Sequence, residues 1–249
     1  MNKISILIPI LNESDTIKNL LSHLYENISR KNNIEILVVD GGSTDGSQEI
    51  VRNFKTSISK VVEKSLIGND YMQPGIQIIP SEKGRAKQMN LGAKHASGNI
   101  LYFLHADSFP PKNFDQHIIN AVKNNNLAGC FRMQFNSNHW WLRLASWFTK
   151  FNWKACRGGD QSLFITKDLF NSIGGFSENY VIYEDIILIN KLYAKKEFIV
   201  LNKKIRTSAR LYKKHGVWKL QYHFLMIYIK KGFGASAEDL YAYYKKHIA

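Results

Sequence analysis

The chain has 249 residues, 45% of them hydrophobic, with 34 basic and 20 acidic residues for a formal charge of +14. That length and apolar content suit one α/β domain with a large core and exclude a long disordered stretch. Two cysteines, Cys130 and Cys156, are too few for a disulfide framework and read as ordinary thiols of a reducing compartment, while the charge admits nucleic acid, an anionic membrane surface, anionic small molecules or plain solubility.

The N-terminus, MNKISILIPILNESD, turns polar without a cleavage site, so residues 3–8 read as a first strand and not a signal peptide. Ser14 is the expected cap of a helix whose apolar positions are Ile17, Leu20, Leu21, Leu24 and Ile28. IEILVVD reads as a buried strand ending at Asp40, GGSTDGS as a tight polar turn, and Ile50, Val51 and Phe54 mark the next helix. This βαβα order predicts a parallel sheet with helices packed on it. Residues 57–75 suggest no role; a short strand is expected over 60–63 and a loop in GNDYMQPG. A strand returns over 76–79, then a helix with Ala86, Met89, Ala93 and Ala96 on one face, closed by Gly98. The apolar strand 100–104 runs into His105, Ala106 and Asp107, and Pro110 and Pro111 stop it. Phe114, Ile118, Ala121 and Val122 outline another amphipathic helix.

In the second half, Phe131, Met133 and Phe135 alternate with Arg132 and Gln134, the period of a half-exposed strand. Over 139–153, Trp140, Trp141, Leu144, Trp147, Phe148 and Phe151 follow helical spacing, and the expected structure is a core helix. CRGGDQSLFIT reads as a turn into a strand, and GGFSENYVIYEDIILINKLYAKK as a loop followed by a helix. A strand over 198–201 and helices over 216–231 and 236–246 close the chain; Trp218, Tyr222, Phe224, Tyr228, Tyr241 and Tyr244 are expected to pack. No apolar run is long enough to span a bilayer, so a cytoplasmic protein is expected.

In an open α/β sheet, ligands bind beyond the carboxyl ends of the strands. Three such ends carry special residues: 9–13, 40–45 and 105–107. Asp40 follows four apolar residues and needs a partner, such as a ribose hydroxyl or a base N–H. Asp107 suits Mg²⁺ or Mn²⁺, which bind through one or two carboxylates plus phosphate oxygens, and Arg85 and Lys87 suit a phosphate clamp. Singly, each has an ordinary counterpart: an Asp at a strand end caps a turn, and a lone His is a hydrogen-bonded structural residue. There is no G-x-G-x-x-G and no phosphate-loop lysine motif.

Five segments in order, SILIPILNES, ILVVDGGSTDGS, GRAKQMNLGAKHASGNILYFLHADS, GGDQSLFITKDLFNSIGGF and YEDIILINKL, resemble family 2 glycosyltransferases over roughly residues 3–195. The likeness is closest to a bacterial subgroup with H-A-D where most members carry D-x-D. It implies a GT-A fold, a mostly parallel central sheet flanked by helices, with a Rossmann-like nucleotide-binding half merged with an acceptor-binding half. On this resemblance 1–249 is a single domain, with a nucleotide-sugar half at 1–110, an acceptor and catalytic half at 111–205, and a helical extension at 206–249. The implied reaction is hexosyltransferase-like: inverting, metal-assisted transfer from a nucleotide diphosphate sugar, UDP by default, to an acceptor hydroxyl.

The same resemblance assigns residues. Pro9, Leu11 and Glu13 line the nucleotide pocket; Asp40 reads uracil or ribose; Gly41, Ser43 and Asp45 form the turn after it; Arg85 and Asn90 sit near sugar and phosphates. Asp107 is the metal-binding carboxylate, and Glu184 and Asp185 are the acidic pair, with Asp185 as the base; their ordinary counterpart is a helix start facing its dipole. His105, beside Ala106, replaces the usual first Asp. Its imidazole can bond a ribose hydroxyl or ligate a transition metal, but supplies no negative charge, which favours Mn²⁺ over Mg²⁺. His215 is a second metal candidate, in a flexible basic loop with Arg206 and Arg210 that closes over the diphosphate or is simply solvated. Gly159 and Asp160 bind the acceptor or cap a turn. Trp140 and Trp141 belong to the alternative reading of the aromatic helix, a lip for a lipid-linked or other apolar acceptor. Arg143, Lys150, Lys154 and the C-terminal lysines Lys213, Lys214, Lys219, Lys230 and Lys231 would then meet an anionic bilayer, peripherally at the inner face of the membrane. Two rivals compete. A sugar nucleotidyltransferase would show a Gly-rich basic loop where PILNES stands. A non-catalytic nucleotide- or nucleic-acid-binding protein, or degenerate transferase, is the other; the basic residues form no stripe interleaved with stacking aromatics, so no nucleic acid is expected.

Overall fold

In the computed structural model, which describes residues 2–29, 32–64 and 74–248, the first half alternates strand and helix as its periodicities predict. The elements are β1 (Lys3–Ile10), α1 (Ile17–Asn27), β2 (Asn33–Asp40), α2 (Ser47–Lys64), β3 (Gly75–Pro80), α3 (Arg85–His95) and β4 (Ile100–Phe103). β1 pairs in parallel with both β2 and β4, and β2 with β3. β1 is apolar on both faces because both faces are covered. Ile4, Ile6 and Ile8 pack with Leu20, Leu21 and Leu24 on one side; Leu7, Leu37 and Val39 meet Met89 and Ala93 on the other. Each such fully buried side chain contributes about 1.5–3 kcal/mol by leaving water.

Three local expectations change. Residues 60–63 continue α2 and form no strand: no glycine or proline interrupts 47–64, and extending a helix is cheap once it is nucleated. The loop expected in GNDYMQPG lies, up to residue 73, outside the described residues. Ser14 is not the cap of α1. Thr16 holds that place, its Oγ1 donating to the Glu13 carboxylate at 2.7 Å, while the Ser14 N–H donates to Asp45 at 2.9 Å. Nor does Gly98 close α3, which ends at His95 with Ala96 as its C-cap. Gly98 is needed because a Cβ there would lie 2.6 Å from the Lys3 carbonyl oxygen.

The second half comprises β5 (Ser108–Phe109), α4 (Phe114–Lys123), β6 (Ala128–Phe135), α5 (Trp140–Phe148), β7 (Leu163–Thr166), α6 (Lys167–Ser172), α7 (Glu184–Ala194), β8 (Ile199–Thr207), α8 (Arg210–His215), α9 (Val217–Gly232) and α10 (Ala237–His247). Among the described residues, one eight-stranded sheet crosses both halves in the order β3-β2-β1-β4-β7-β6-β8-β5. β7 runs antiparallel to β4 and β6, β6 is parallel to β8, and β5 is antiparallel to β8. The predicted strand at 198–201 extends to Thr207, so the expected basic loop is instead a strand end followed by α8.

α5 is not the expected core helix. Leu142 is its only buried residue, because α5 covers one edge of β6, where Thr149 and Ser146 side chains accept the Met133 and Phe135 N–H groups. α9 and α10 close a small core of Leu220, Ile227, Leu240 and Ile248, but Trp218, Tyr222 and Tyr228, expected to pack, are exposed.

Away from the carboxyl strand ends, Glu35 on β2 accepts from Ser5, Ser97 and Lys3. Burial would raise its pKa, but these bonds outweigh it and lower it from 4.5 to about 2. A depressed carboxylate stabilises the fold above its unfolded pKa, and that contribution is lost as pH falls from 4.5 towards 2. The fall in melting temperature between about pH 5 and about pH 3 is therefore expected to be smaller in Glu35→Gln than in the parent; equal falls would remove Glu35 from the acid response.

Candidate functional site

The carboxyl ends of β1 and β4 open into a cleft. Its walls are Pro9 and Glu13 after β1, Arg85 at the start of α3, His105, Ala106 and Asp107 after β4, and Asp160 in the turn before β7. Thr207, Ser208, Arg210, Leu211 and Tyr212 close it from β8 and α8, and Leu220 and Phe224 from α9. One end is thus charged and the other apolar.

Arg85 links the cleft to α7. Its Nη1 lies 3.4 Å from Glu184 Oε1 and 3.9 Å from Asp185 Oδ2. A cation at a helix start opposes the α3 dipole, whereas two carboxylates suit the start of α7, so the ion pairs let two helix N-termini face each other. Glu184 is buried, and burial and then Asp185 push its carboxyl well above the usual range, against Arg85. Tyr183, at φ 74°, holds the left-handed conformation that turns the chain into this pair. Gly159 packs against it from the other side: a Cβ there would overlap the Asp185 carboxylate and come within 3.0 Å of His105 Cε1.

His105 Nδ1 is 3.6 Å from Asp160 Oδ1. Burial and Arg85 disfavour the imidazolium, but Asp160 and Asp185 outweigh them and raise the pKa of His105. Desolvation in the cleft would raise the half-exposed Asp160, but His105 and Arg85 outweigh it and hold its carboxyl below the usual range. Arg157 fixes this turn. Buried beneath it, the guanidinium donates to Gln161 Oε1 at 2.6 Å and to the carbonyls of Thr149 and Phe151 at 2.9 and 2.6 Å.

Across the cleft, Arg210 Nη2 is 3.3 Å from both Glu13 Oε2 and Asp107 Oδ2. Asp107 is pushed up by burial and by Asp160, only partly relieved by His105 and Arg210. Among the described residues no three His, Cys, Asp or Glu side chains converge as an all-protein metal cage. The donor set fits a different kind of site: an oxygen-ligated divalent ion held by Asp107 that takes its remaining ligands from a bound anion. Such an ion would offset the cost of burying the ionised Asp107.

The remaining predicted residues stand around the cleft, not in its wall. The Asp40 carboxylate finds its partners inside the chain, accepting from the N–H groups of Gly42 and Ser43 at 3.2 and 3.1 Å and from Gln48 Nε2 at 2.6 Å. Ser43 Oγ accepts the Asn12 N–H, Asp45 the Ser14 N–H and Ser47 Oγ the Glu13 N–H, so the 40–47 turn grips the segment that presents Glu13. The Gly41 N–H donates to Ile10, at the foot of that segment; Leu11 is half-buried within it. Asn90 donates to the Phe176 carbonyl and Glu178 and accepts from the Phe176 N–H, holding the loop before α7. Lys87 pairs with Glu82 at the surface. His215, on α8, has a buried Nε2 without a hydrogen-bond partner among the described residues and does not line the cleft; Trp140 and Trp141 cluster with Trp218. The sequence reading missed the His105–Asp160 pairing, the Arg157 support and the double contact of Arg210, placed by the unforeseen length of β8.

Three comparisons bear on this arrangement. Residues 5–180 match the model of Glycosyl transferase family 2. Glycosyltransferase AglE of Haloferax volcanii is 30% identical over 119 residues, 48% of this chain and 35% of that protein. A dolichol-phosphate mannosyltransferase of Pyrococcus furiosus is 28% identical over 123 residues, 49% of this chain and 30% of that one. The matched part thus spans about a third of these relatives. Among solved structures, mannosyltransferase PcManGT of Pyrobaculum calidifontis, in complex with GDP-Man and Mn²⁺, has a TM-score of 0.67 at 18% identity, covering 98% of this chain and 69% of that one. TarS 1–349 of S. aureus, in complex with UDP, has a TM-score of 0.62 at 18% identity, covering 83% and 60%. At such identity the likeness is one of fold, the GT-A fold.

Proposed function

Because the chain belongs to glycosyl transferase family 2, we propose that its cleft transfers a sugar, with inversion, from a nucleoside diphosphate sugar to an acceptor hydroxyl. The observation that carries this reading is the position of Arg85: it lines the same cleft as His105, Asp107 and Asp160 while its guanidinium touches Glu184 and Asp185 on α7. Three separated segments thus line one space, and Arg85 ties it to the acidic pair on α7.

In this reading Asp185 accepts the proton of the acceptor hydroxyl. The hydroxyl oxygen bonds to the anomeric carbon from the face opposite the diphosphate, and the breaking C–O bond leaves its electron pair on the diphosphate. Arg210 leaves Glu13 and Asp107 to meet phosphate oxygens, a bidentate role that suits guanidinium. Asp107 would hold a divalent ion, Mn²⁺ or Mg²⁺, which supplies neutralisation of the diphosphate charge. Glu13 and Pro9, backed by the 40–47 turn, face the nucleotide, and UDP is the default donor. Within the single domain, 1–110 serves the donor, 111–205 the acceptor and the base, and 206–249 closes the cleft. The half-exposed carboxylate of Asp160 reaches the acceptor side while His105 holds it.

A thermal-shift series with UDP and GDP, with and without Mn²⁺, tests donor and metal together. A nucleotide at about 100 times its Kd adds about 2.7 kcal/mol to the folded state. A rise in melting temperature with one nucleotide, larger with Mn²⁺, is expected. No shift with either nucleotide would sink the reading, and a shift without hydrolysis of any matching sugar nucleotide would leave a binding protein.

A further inference from the structure

α9 carries large apolar residues on its outward face as well as its inward one. Leu220, His223 and Ile227 turn inward, yet Trp218, Tyr222, Leu225, Ile229 and Phe233, spaced four, three, four and four residues apart, form an outward stripe between 40 and 90% exposed. A continuous exposed apolar stripe of this size marks a contact surface. The stripe does not end with the helix. The Trp218 ring lies 5.8 Å from Trp140, the first residue of α5, whose own exposed positions Leu144, Trp147 and Phe148 continue the aromatic surface.

The charge around this surface chooses its occupant. Arg143, Lys150 and Lys154 flank the α5 part and Lys213, Lys214 and Lys219 the α9 part, all exposed, on a chain of net charge +14. A second copy seated here about a two-fold axis would set the same basic flank against itself, and like charges brought together oppose association. An anionic bilayer complements both features: Trp and Tyr settle at the headgroup level while lysines meet lipid phosphates. Among the described residues no helix is long and apolar enough to cross a membrane, so the contact is with its surface. We infer that the joined outer faces of α5 and α9 dock the protein on an anionic lipid bilayer. The inward face of α9 supplies Leu220 and Phe224 to the cleft, so the docking helix is also a cleft wall. Vesicle binding requires no donor, so this inference stands or falls apart from the transfer reading.

The experiment is co-sedimentation of the full chain with vesicles of phosphatidylcholine alone or mixed with phosphatidylglycerol, at low and high salt. The parent is expected to sediment with the mixed vesicles and to be weakened by salt. The double variant Leu225→Glu with Phe233→Glu, both exposed and outside the cleft, is expected to lose about tenfold or more in partitioning with an unchanged melting temperature. A second variant, Trp147→Glu, should weaken binding through α5. Absence of sedimentation with mixed vesicles overturns the inference, as does binding that all three substitutions leave intact. A parent that is dimeric in solution and made monomeric by Leu225→Glu with Phe233→Glu would assign the face to a second copy instead.

Discussion

Asp185→Asn is expected to lower kcat by about 10²–10⁴-fold, the usual contribution of a positioned base, while the nucleotide-dependent thermal shift persists. The two members of the acidic pair are not equivalent. Glu184 is 1% exposed and bonded to Arg85 at 3.4 Å, and its burial favours the protonated form. Asp185 keeps 17% of its side chain exposed and borders Gly159, whose missing Cβ leaves room for its carboxylate. Of the pair, Asp185 is therefore the more accessible. The amide of Asn preserves shape and hydrogen bonding but accepts no proton at neutral pH. Glu184→Gln should behave differently, retaining measurable turnover, because Glu184 is buried against Arg85 and is not exposed to take the acceptor's proton. Wild-type turnover in Asp185→Asn, measured with the donor identified by thermal shift, would place the base elsewhere.

The sequence made the site's parts visible more readily than their pairing. Ile17, Leu20, Leu21 and Leu24 read as a helix face because their period is local, and β1 and β2 read as buried strands because a doubly covered strand is a continuous apolar run. The 105–107 tip was legible for the same reason. α5 was misread because helical spacing of aromatics says which residues share a face, not whether that face meets protein or something outside the chain. Asp40 was expected to need an external partner although Gly42, Ser43 and Gln48 stand within eight residues of it; turn bonds of this kind are local enough to read. The partners of the charged groups were not. Arg210 reaches Glu13 across 197 residues of sequence, and no short pattern encodes a contact set by how far β8 extends. His105 was read as a ligand for ribose or metal; the structure gives it a carboxylate neighbour, Asp160, from a turn anchored by a buried arginine.

Asp107→Asn is expected to abolish the Mn²⁺-dependent part of the nucleotide thermal shift and to lower kcat by about 10²–10³-fold, the scale of a few kcal/mol of lost charge neutralisation. The substitution is close to isosteric, and Arg210 retains Glu13 at 3.3 Å, so the cleft should keep its shape and the melting temperature without nucleotide should change little. What changes is the potential. Burial and Asp160 already make the ionised Asp107 costly, and on the proposed reading a bound cation offsets that cost. Arg210→Ala separates the two positive partners of that carboxylate. Without the guanidinium, nucleotide binding should weaken with and without Mn²⁺, but the metal-dependent increment should survive, because Asp107 remains. Asp107→Asn should do the reverse, sparing the metal-independent part and removing the increment. Were the increment equally large in both variants, the ion would be bound without Asp107, and the carboxylate at the tip of β4 would serve only as a partner for Arg210.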